Sequence, residues 1–311
     1  MRILLTGSSG QVGHALDSTL RSLPGVEVII PQRTQMDLSR LDLVRDTIRD
    51  IKPQLIINPA AYTAVDKAES EPGLAQTING DAPGVMAEEA KKLGAALIHY
   101  STDYVFDGSK RGSDGSLLAY TEQDATHPLN VYGSSKLAGE QAIAASSCAH
   151  LIFRTSWVYS GFGKNFLLTM LRLAKERDEL KIVNDQWGAP TWAGWIAQAT
   201  TDIVRQLQQA SDTDAWWAAH RGIYNLTTQQ YTSWQGFAQE IMQQAVGLKL
   251  LDKAPVVSGI PAAEYPTPAT RPVNSTLSMQ LLNEHFQIQP PLWSQALTDC
   301  LRGINTEQAA Q

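Results

Sequence analysis

Short apolar segments alternate with helix-like segments through the first half of the chain. The apolar segments are typical of buried strands and comprise residues 2–6, 26–30, 54–58, 96–101 and 150–155. The segments between them carry apolar residues at the three- and four-residue spacing of amphipathic helices: QVGHALDSTLRSL, LDLVRDTIRDI, APGVMAEEAKKLG and SSKLAGEQAIAA. This alternation predicts a doubly wound α/β fold, because a parallel sheet covered by helices on both faces needs strands that are apolar throughout.

The later half of the chain predicts further elements without that regular alternation. Its apolar patterns indicate helices over 165–179 and near 292–302, and one more strand over 222–227. Residues 252–276 are rich in proline, and residues 103–128 show no clear period. We expect both segments to be loops, and a loop as long as 103–128 in a compact domain is usually functional or a lid.

The composition argues against several classes of protein. A net charge of −6 disfavours a general nucleic-acid or membrane surface. The two cysteines, Cys148 and Cys300, lie too far apart for a disulfide framework or a metal motif, and reduced thiols suit the cytoplasm. No apolar stretch approaches the ~20 residues that span a bilayer, and no leader precedes the first strand. We therefore expect a cytoplasmic protein that binds neither nucleic acid nor a membrane.

Three glycines separate the first predicted strand from the first predicted helix. Gly7, Gly10 and Gly13 lie in TGSSGQVG, residues 6–13. Glycines at such a turn let backbone N–H groups approach a pyrophosphate, which the N-terminus of the following helix then faces. The spacing is G-x-x-G-x-x-G, and an ordinary strand–turn–helix is the alternative. The position directly after an N-terminal strand favours a dinucleotide-binding turn.

The end of the second predicted strand indicates which nicotinamide cofactor is bound. NAD sites usually place an acidic residue there to accept from the ribose 2′-OH, whereas arginine suits the 2′-phosphate of NADP. The chain has Arg33 at this point and no acidic residue until Asp37. The pattern favours NADPH with Arg33 at the phosphate, and it leaves NADH open. A solvated surface arginine is the alternative.

A tyrosine and a lysine lie one helical turn apart in NVYGSSKLAGEQ, residues 130–141. Tyr132 and Lys136 share a helix face at this spacing. A phenol with a pKa near ~10 is a poor acid–base group at neutral pH unless a neighbouring cation favours its anion. Lys136 would lower the pKa of Tyr132 and could hold the nicotinamide ribose, which suits carbonyl reduction. A chance surface pair is the alternative, but the hydroxyls of Ser101 and Thr102 at a strand end strengthen the functional interpretation.

Several longer strings resemble the extended short-chain dehydrogenase/reductase family. They include TGSSGQVG at the first turn, NPAAYT after the third strand, STDYVF after the fourth and YGSSK on the following helix. AVDKAESEP, LIFRTSWVY, NDQWGAPT and YPTPATRPVNS are similar to the members that reduce dTDP-linked keto-sugars, so the resemblance covers nearly the full length. It implies a Rossmann-type sheet and reduction of the C4 ketone of dTDP-4-dehydro-L-rhamnose by NADPH.

The resemblance also implies a role for each matching position. The cofactor contacts would be Gly10, Gln11 and Val12 at the pyrophosphate, Asp37 and Leu38 at the adenine end, and Ala60, Ala61, Tyr62 and Thr63 along the ribose and nicotinamide. Tyr132 would donate the proton, Lys136 would activate it, and Thr102 would help to polarise the ketone. The substrate contacts would be Thr102, Asp103, Tyr104, Trp157, Asn165 and Arg271, the last two near the diphosphate. Trp157 as a core residue and Arg271 as a solvated charge are the alternatives.

The chain departs from the family where some members are bridged into dimers by magnesium. Those members use glutamates on helix faces, and the matching positions here hold Ala15 and Gly194. No metal is therefore expected, and the quaternary structure is expected to be a monomer or a homodimer without a magnesium bridge.

Two other functions compete with a reductase. Nucleotide-sugar 4,6-dehydratases share the glycine turn and the Tyr/Lys pair, but they place Asp-Glu directly after the threonine, where this chain has Asp103 and Tyr104. An epimerase would not need these sugar-specific strings. The regulatory subunit of methionine adenosyltransferase resembles the same enzymes and holds NADP as a binding module. The joint presence of Tyr132, Lys136 and Thr102 favours an enzyme, because a pure binder has no chemical use for the phenol.

The domain organisation follows from these assignments. At 311 residues the chain is long enough for two domains. We expect an NAD(P)-binding domain over 1–155 together with part of 185–230. Residues 156–311 should mostly form a smaller α/β domain that binds the nucleotide sugar, with a soft boundary and interleaved segments.

Overall fold

The computed structural model describes residues 1–309, and the side chains of residues 1–304. Its strands are β1 (Arg2–Leu5), β2 (Glu27–Ile29), β3 (Leu55–Asn58), β4 (Ala96–Thr102), β5 (Ala149–Thr155), β6 (Val158–Tyr159), β7 (Glu179–Val183), β8 (Trp187–Gly188), β9 (Thr191–Trp192), β10 (Gly222–Asn225), β11 (Thr232–Ser233), β12 (Val256–Ile260) and β13 (Asn274–Ser275). Its helices are α1 (Gln11–Arg21), α2 (Leu41–Ile51), α3 (Val65–Ala68), α4 (Pro72–Gln76), α5 (Ala82–Leu93), α6 (Val131–Ser146), α7 (Phe166–Glu176), α8 (Ala193–Gln209), α9 (Thr213–His220), α10 (Trp234–Gly247), α11 (Gln280–Phe286) and α12 (Trp293–Ala309). A π-helical turn (Thr77–Asp81) joins α4 to α5, and 3-10 turns occur at Asp103–Val105 and Ala262–Glu264.

A six-stranded parallel sheet organises the first part of the chain. Its strand order is β10-β5-β4-β3-β1-β2, and each neighbouring pair is parallel. The chain thus winds outward from β1 to β2 and then crosses back through β3, β4 and β5. The predicted doubly wound α/β fold is confirmed.

Helices cover both faces of this sheet, as the uniformly apolar strands predict. Side chains alternate between the faces along each strand. Ile3 and Leu5 of β1 join one core, which also contains residues of α1 and α8. Leu4 joins the other core, formed with residues of α2, α5 and α6. The sheet is therefore the middle layer of three, and its carboxyl edge is where the loops of the site begin.

A third apolar core lies in the later part of the chain. It joins α7, α10 and α12 with β7 and contains the fully buried Tyr159 and Phe237. Within the described residues no helix has the length and apolar character needed to cross a bilayer. The later part of the chain also contributes to the large sheet and its core. Strand β10 adds an edge strand to the sheet, and α8 packs on the core that contains α1.

Two predicted elements of the later part differ from the structure. The helix predicted over 165–179 ends at Glu176, because Arg177 adopts an extended conformation and the chain enters β7 at Glu179. The segment 252–276, predicted as a loop, contains β12, which pairs in parallel with β7. Short strands that pair across a long sequence separation have little local sequence pattern of their own. The surrounding prolines favour a loop instead.

Candidate active site

The glycine turn forms a backbone cradle between β1 and α1. Gly7 has φ +61°, and a Cβ there would lie 2.8 Å from the Ala60 nitrogen. A Cβ on Gly13 would lie 2.1 Å from the Gly7 carbonyl oxygen. Gly10 is the N-cap of α1 and brings no side-chain cap to the first turn. A side chain would fill this turn, so its residues fit the pyrophosphate of a dinucleotide at the N-terminus of α1.

A later segment lies beside this cradle. The Gln11 side chain donates from Nε2 to the Val158 carbonyl at 3.3 Å and accepts from the Ser160 hydroxyl at 3.0 Å. The Phe162 ring stacks on His14, with ring centroids 4.0 Å apart. The side chain of Gln11 therefore holds the 158–162 segment, and contact with a pyrophosphate would fall to the backbone of the turn.

The predicted adenine end lies at the sheet edge beyond β2. The Arg33 side chain is 86% exposed, and its Nε lies 3.7 Å from an Asp37 carboxylate oxygen. Hydrogen bonds from the backbone and side chain of Ser39 lower the pKa of Asp37. Leu38 is buried in the core below. The structure thus places an exposed guanidinium next to a carboxylate, and contact of Arg33 with a 2′-phosphate stays a prediction.

The segment 60–63 runs from the glycine turn towards α6. The Tyr62 backbone nitrogen donates to the Asn79 side-chain oxygen at 2.8 Å, and the Asn79 amide donates to the Ser135 hydroxyl at 3.0 Å. The Tyr62 phenol donates to Glu71 at 2.6 Å, which raises the pKa of the phenol. Ala60 and Ala61 are partly buried and Thr63 is exposed. These contacts fix one wall of the site to the helix that carries Tyr132.

Helix α6 is capped and packed so that its first turn lies against the end of β4. Asn130 is the N-cap, and its side-chain oxygen accepts from the Gly133 nitrogen at 2.8 Å. A Cβ on Gly133 would lie 2.2 Å from the Tyr104 carbonyl oxygen, so only glycine allows this approach. The Glu69 carboxylate accepts from the Val131 nitrogen at 2.9 Å, which satisfies another first-turn donor.

This packing brings Tyr132 to the end of β4. Its partly buried phenol interacts with the Thr102 hydroxyl, and that hydroxyl donates to the Asp103 carboxylate at 3.0 Å. Burial raises the pKa of Tyr132 to about 12, an effect that hydrogen bonding with Thr102 partly offsets and the Asp103 charge reinforces. Burial also raises the pKa of Asp103 to about 7. At neutral pH the phenol therefore carries its proton, as a proton donor must.

Lys136 lies deeper in the protein than Tyr132. Its ammonium donates to the Tyr100 carbonyl oxygen at 2.6 Å and lies 3.1 Å from Nε2 of His99. Burial lowers the pKa of Lys136 to about 7, and the charge of Glu140 offsets part of this shift. The structure shows a raised pKa for Tyr132, whereas the Tyr/Lys spacing predicts a lowered one. The physical reason is that the strand below engages the amine of Lys136 while burial dominates at the phenol.

Two aromatic residues border the expected substrate side. Trp157 has φ +47°, and its ring stacks on Trp234 with centroids 3.6 Å apart. A Cβ on Gly188 would lie 2.5 Å from the Trp157 indole, so glycine is required beneath this ring. The Tyr104 ring meets the Tyr132 ring edge-on, with centroids 5.7 Å apart. Trp157 is partly buried and Tyr104 lies next to the phenol of Tyr132.

The two residues expected near a diphosphate have protein partners. Asn165 is the N-cap of α7: its oxygen accepts from the Leu168 nitrogen at 3.0 Å, and its amide donates to the Ser160 carbonyl at 2.9 Å. Arg271 pairs with both carboxylate oxygens of Asp66, each at 2.7 Å. Arg271 is thus part of an ion pair and not a solvated charge. Substrate contact by either residue stays a prediction.

Two features of the site lack a motif in the sequence. His99 is fully buried in β4 and contacts Asn58 as well as Lys136. The available signal is a histidine inside an otherwise apolar strand. Trp234 lies far from Trp157 in sequence, and only the folded chain shows that the two rings stack.

The positions matching the glutamates of metal-bridged relatives are structural here. Ala15 packs against the core beneath α1, and a Cβ on Gly194 would lie 2.4 Å from the Trp192 indole. In the part of the chain with described side chains, no group of three or more His, Cys, Asp or Glu residues is arranged to hold a metal ion. Neither Ala15 nor Gly194 supplies a carboxylate, so a magnesium bridge of the kind described would lack these two ligands.

Comparison with known proteins gives a consistent result along the whole chain. The family model described as "RmlD substrate binding domain" matches residues 1–306. The chain is 46% identical to the dTDP-4-dehydrorhamnose reductase of Burkholderia thailandensis over 308 residues, covering 98% of this chain and 99% of the relative. It is 42% identical to the protein of the same name from Escherichia coli K12 over 314 residues, covering 99% of this chain and 100% of that one.

A solved structure shows the same fold. The dTDP-4-dehydrorhamnose reductase from Bacillus anthracis, determined in complex with NADP, superposes with a TM-score of 0.83 at 30% sequence identity. The superposition covers 97% of this chain and 99% of the other. The resemblance inferred from the sequence motifs is confirmed.

Proposed function

The chain belongs to the dTDP-4-dehydrorhamnose reductase family, and from this premise we propose that it reduces the C4 ketone of dTDP-4-dehydro-L-rhamnose with NADPH. The product would be dTDP-L-rhamnose. The observation that carries the proposal is that α6 brings the protonated phenol of Tyr132 to the Thr102 hydroxyl, with Lys136 on the same helix. This is the chemistry of a proton donor at a carbonyl, placed at the carboxyl edge of a dinucleotide-binding sheet.

NADPH, when bound, supplies the hydride that reaches C4 of the sugar. Gly7, Gly10 and Gly13 would hold its pyrophosphate, and Arg33 would meet the 2′-phosphate of its adenosine ribose. This assignment is supported by the open cradle of the turn and by the exposure of Arg33. It is further supported by the NADP complex of the Bacillus anthracis protein, to which the chain is 30% identical.

The proton comes from the chain's own residues. Tyr132 would give its phenolic proton to the alkoxide that forms at C4, while the Thr102 hydroxyl hydrogen-bonds at the same oxygen and keeps the phenol aligned. Acid catalysis of this kind typically contributes ~10²–10⁴-fold to the rate. The raised pKa of Tyr132 favours this direction, because a phenol that stays protonated at neutral pH is ready to donate.

The substrate side is proposed from the second part of the chain. Residues 156–311 would mostly hold the nucleotide sugar, with Asp103, Tyr104 and the Trp157 ring at the sugar and Arg271 near the diphosphate. Tyr104 lacks the carboxylate that a dehydratase needs for eliminating water, which supports reduction. We propose that the enzyme works in the cytoplasm as a monomer or a homodimer.

The proposal is tested by mixing the purified protein with NADPH and dTDP-4-dehydro-L-rhamnose and following NADPH absorbance. We expect turnover in the parent and a loss of ~10²–10⁴-fold in Tyr132→Phe, which lacks the donated proton. NADPH binding should be unchanged in that variant. Tyr159→Phe is the matched control, because the Tyr159 hydroxyl is buried in the third core and has no hydrogen-bond partner among the described side chains. Absence of turnover in the parent, or full activity in Tyr132→Phe, would refute the proposal.

A further inference from the structure

A continuous chain of polar groups runs beneath the site through three strands of the sheet. The Thr6 hydroxyl lies 2.6 Å from the Asn58 side-chain oxygen, and the Asn58 amide nitrogen lies 3.0 Å from Nδ1 of His99. Nε2 of His99 in turn lies 3.1 Å from the Lys136 amine. We call these four residues the polar chain. It joins the end of β1 to the helix that carries Tyr132.

His99 is the central member of the polar chain and has no access to solvent. It is 0% exposed in the middle of β4, beside Asn58 of β3 in the parallel register. A buried polar ring is costly unless both of its nitrogens are hydrogen-bonded, and here both are. Burial and the charge of Lys136 lower the pKa of His99 well below its usual value, so the ring is neutral.

A neutral imidazole has one N–H group and one bare nitrogen, which limits the chain to two arrangements. If Lys136 is charged, its ammonium donates to Nε2, and the N–H at Nδ1 must donate to the oxygen of the Asn58 amide. If Lys136 is neutral, Nε2–H donates to the amine and the Asn58 amide donates to Nδ1. A half-turn of the Asn58 amide exchanges its oxygen and nitrogen and so serves either tautomer of His99. In the orientation shown the Thr6 hydroxyl donates to the amide oxygen, whereas in the turned orientation it would accept from the amide nitrogen.

Among the groups around Lys136, His99 is the one whose hydrogen bonding differs between these two arrangements. On its own helix the charged neighbour is Glu140, which is already bound by Arg154 of β5 through oxygens at 3.0 and 2.6 Å. From β4 the amine meets only the Tyr100 carbonyl and the His99 ring. Tyr132 and Asp103 interact with the Thr102 hydroxyl. His99 is therefore the one contact of Lys136 among these that can change from acceptor to donor.

We propose that His99 is a positioning residue for Lys136: it holds the amine through Nε2, and its tautomer sets the pH at which that amine takes up a proton. The catalytic effect of this residue rests on the proposed function, because the charge of Lys136 would favour the Tyr132 anion and hold the cofactor ribose. The arrangement of the polar chain does not depend on the substrate.

The test is the titration of Lys136 in the free protein, followed by NMR of isotope-labelled lysine at Cε, with Lys136→Met to identify the resonance. Removing the acceptor in His99→Leu destabilises the charged amine, so the titration midpoint should fall by about one pH unit. His99→Gln places an amide oxygen where Nε2 was and should restore most of that shift. An unchanged midpoint in His99→Leu, or no restoration in His99→Gln, would overturn the proposal.

A matched control and a second readout complete the experiment. His150→Leu removes another buried histidine of the sheet, whose ring contacts the Cys148 carbonyl, and should leave the titration of Lys136 unchanged. If His99→Leu does not fold, His99→Asn is used, because its shorter side chain can keep the contact with Asn58 but cannot reach Lys136. The alkaline limb of kcat/KM should move with the NMR midpoint. A shifted midpoint in a protein without reductase activity would refute the proposed function and leave the role of His99 intact.

Discussion

Helix α6 buries two charged residues one turn apart, and their surroundings differ. Glu140 is 2% exposed and receives hydrogen bonds to both carboxylate oxygens from the Arg154 guanidinium, itself 3% exposed. Lys136 is 1% exposed, and its amine contacts a carbonyl oxygen and a neutral imidazole. Glu140 therefore has a buried counter-ion, whereas Lys136 is stabilised by the dipoles of the carbonyl group and the imidazole.

The difference separates structural from functional burial of charge. A complete, bidentate pair fixes α6 on β5 and has no reason to change its protonation. Among the residues with described side chains no carboxylate pairs directly with Lys136, and burial lowers its pKa to about 7, within the range where enzymes work. Charges that burial leaves without a direct counter-ion are the ones that can respond to a cofactor or a proton.

Removing Glu140 from its bidentate ion pair with Arg154 should have the largest effect on stability. Glu140→Gln leaves Arg154 charged and buried, and we expect the free energy of unfolding to fall by about 3–5 kcal/mol. Urea denaturation at neutral pH measures this. Glu176→Gln is the control, because the Arg172–Glu176 pair on α7 is 61% and 50% exposed and its loss should cost under ~0.5 kcal/mol. Similar losses in the two variants would contradict the distinction between the buried and the exposed pair.

Removing Lys136 should have the opposite effect and raise the free energy of unfolding. The pKa of Lys136 is about 7 in the folded protein against the ordinary 10.5, so the unfolded chain binds the extra proton between these values and stability rises with pH there. Below pH 7 the full cost of burying the charge applies. We expect Lys136→Met to be more stable than the parent at pH 6, on the order of 1–3 kcal/mol, because the lost hydrogen bonds offset part of the gain.

This gain should shrink as the pH rises towards 10, where the parent no longer buries a charge. Urea denaturation of parent and variant at both pH values gives the comparison, and NADPH turnover should be lost at each. Destabilisation of Lys136→Met at pH 6 would show that Lys136 is as well compensated as Glu140.

The smallest expected effect comes from keeping the charge of the complete pair and changing its geometry. Arg154→Lys retains a cation opposite Glu140 but cannot donate two parallel hydrogen bonds. We expect a loss of about 1–2 kcal/mol in unfolding free energy, well below that of Glu140→Gln. A loss equal to that of Glu140→Gln would mean that geometry, and not charge, dominates at this pair.

The elements that carry local patterns were predictable from the sequence. The strands of the large sheet, the glycine turn and the spacing of Tyr132 and Lys136 each follow from neighbouring residues, and the fold class was predicted from them. Strands β7 and β12 were not, because each is short and depends on the other across a long sequence separation. The pairing of Arg271 with Asp66 was missed for the same reason, whereas the cap that Asn165 forms on α7 is a local contact that the sequence position of the asparagine could have indicated.

By itself the sequence determined which groups this protein brings to its site: a phosphate-binding turn, a phenol, a lysine and a threonine hydroxyl at a strand end. Only the tertiary structure decided their protonation. The pKa of Lys136 depends on burial, on His99 and Tyr100 of β4 and on a Glu140 already paired with β5. Burial and neighbouring dipoles control ionisation, and both arise from strands that the sequence keeps far apart.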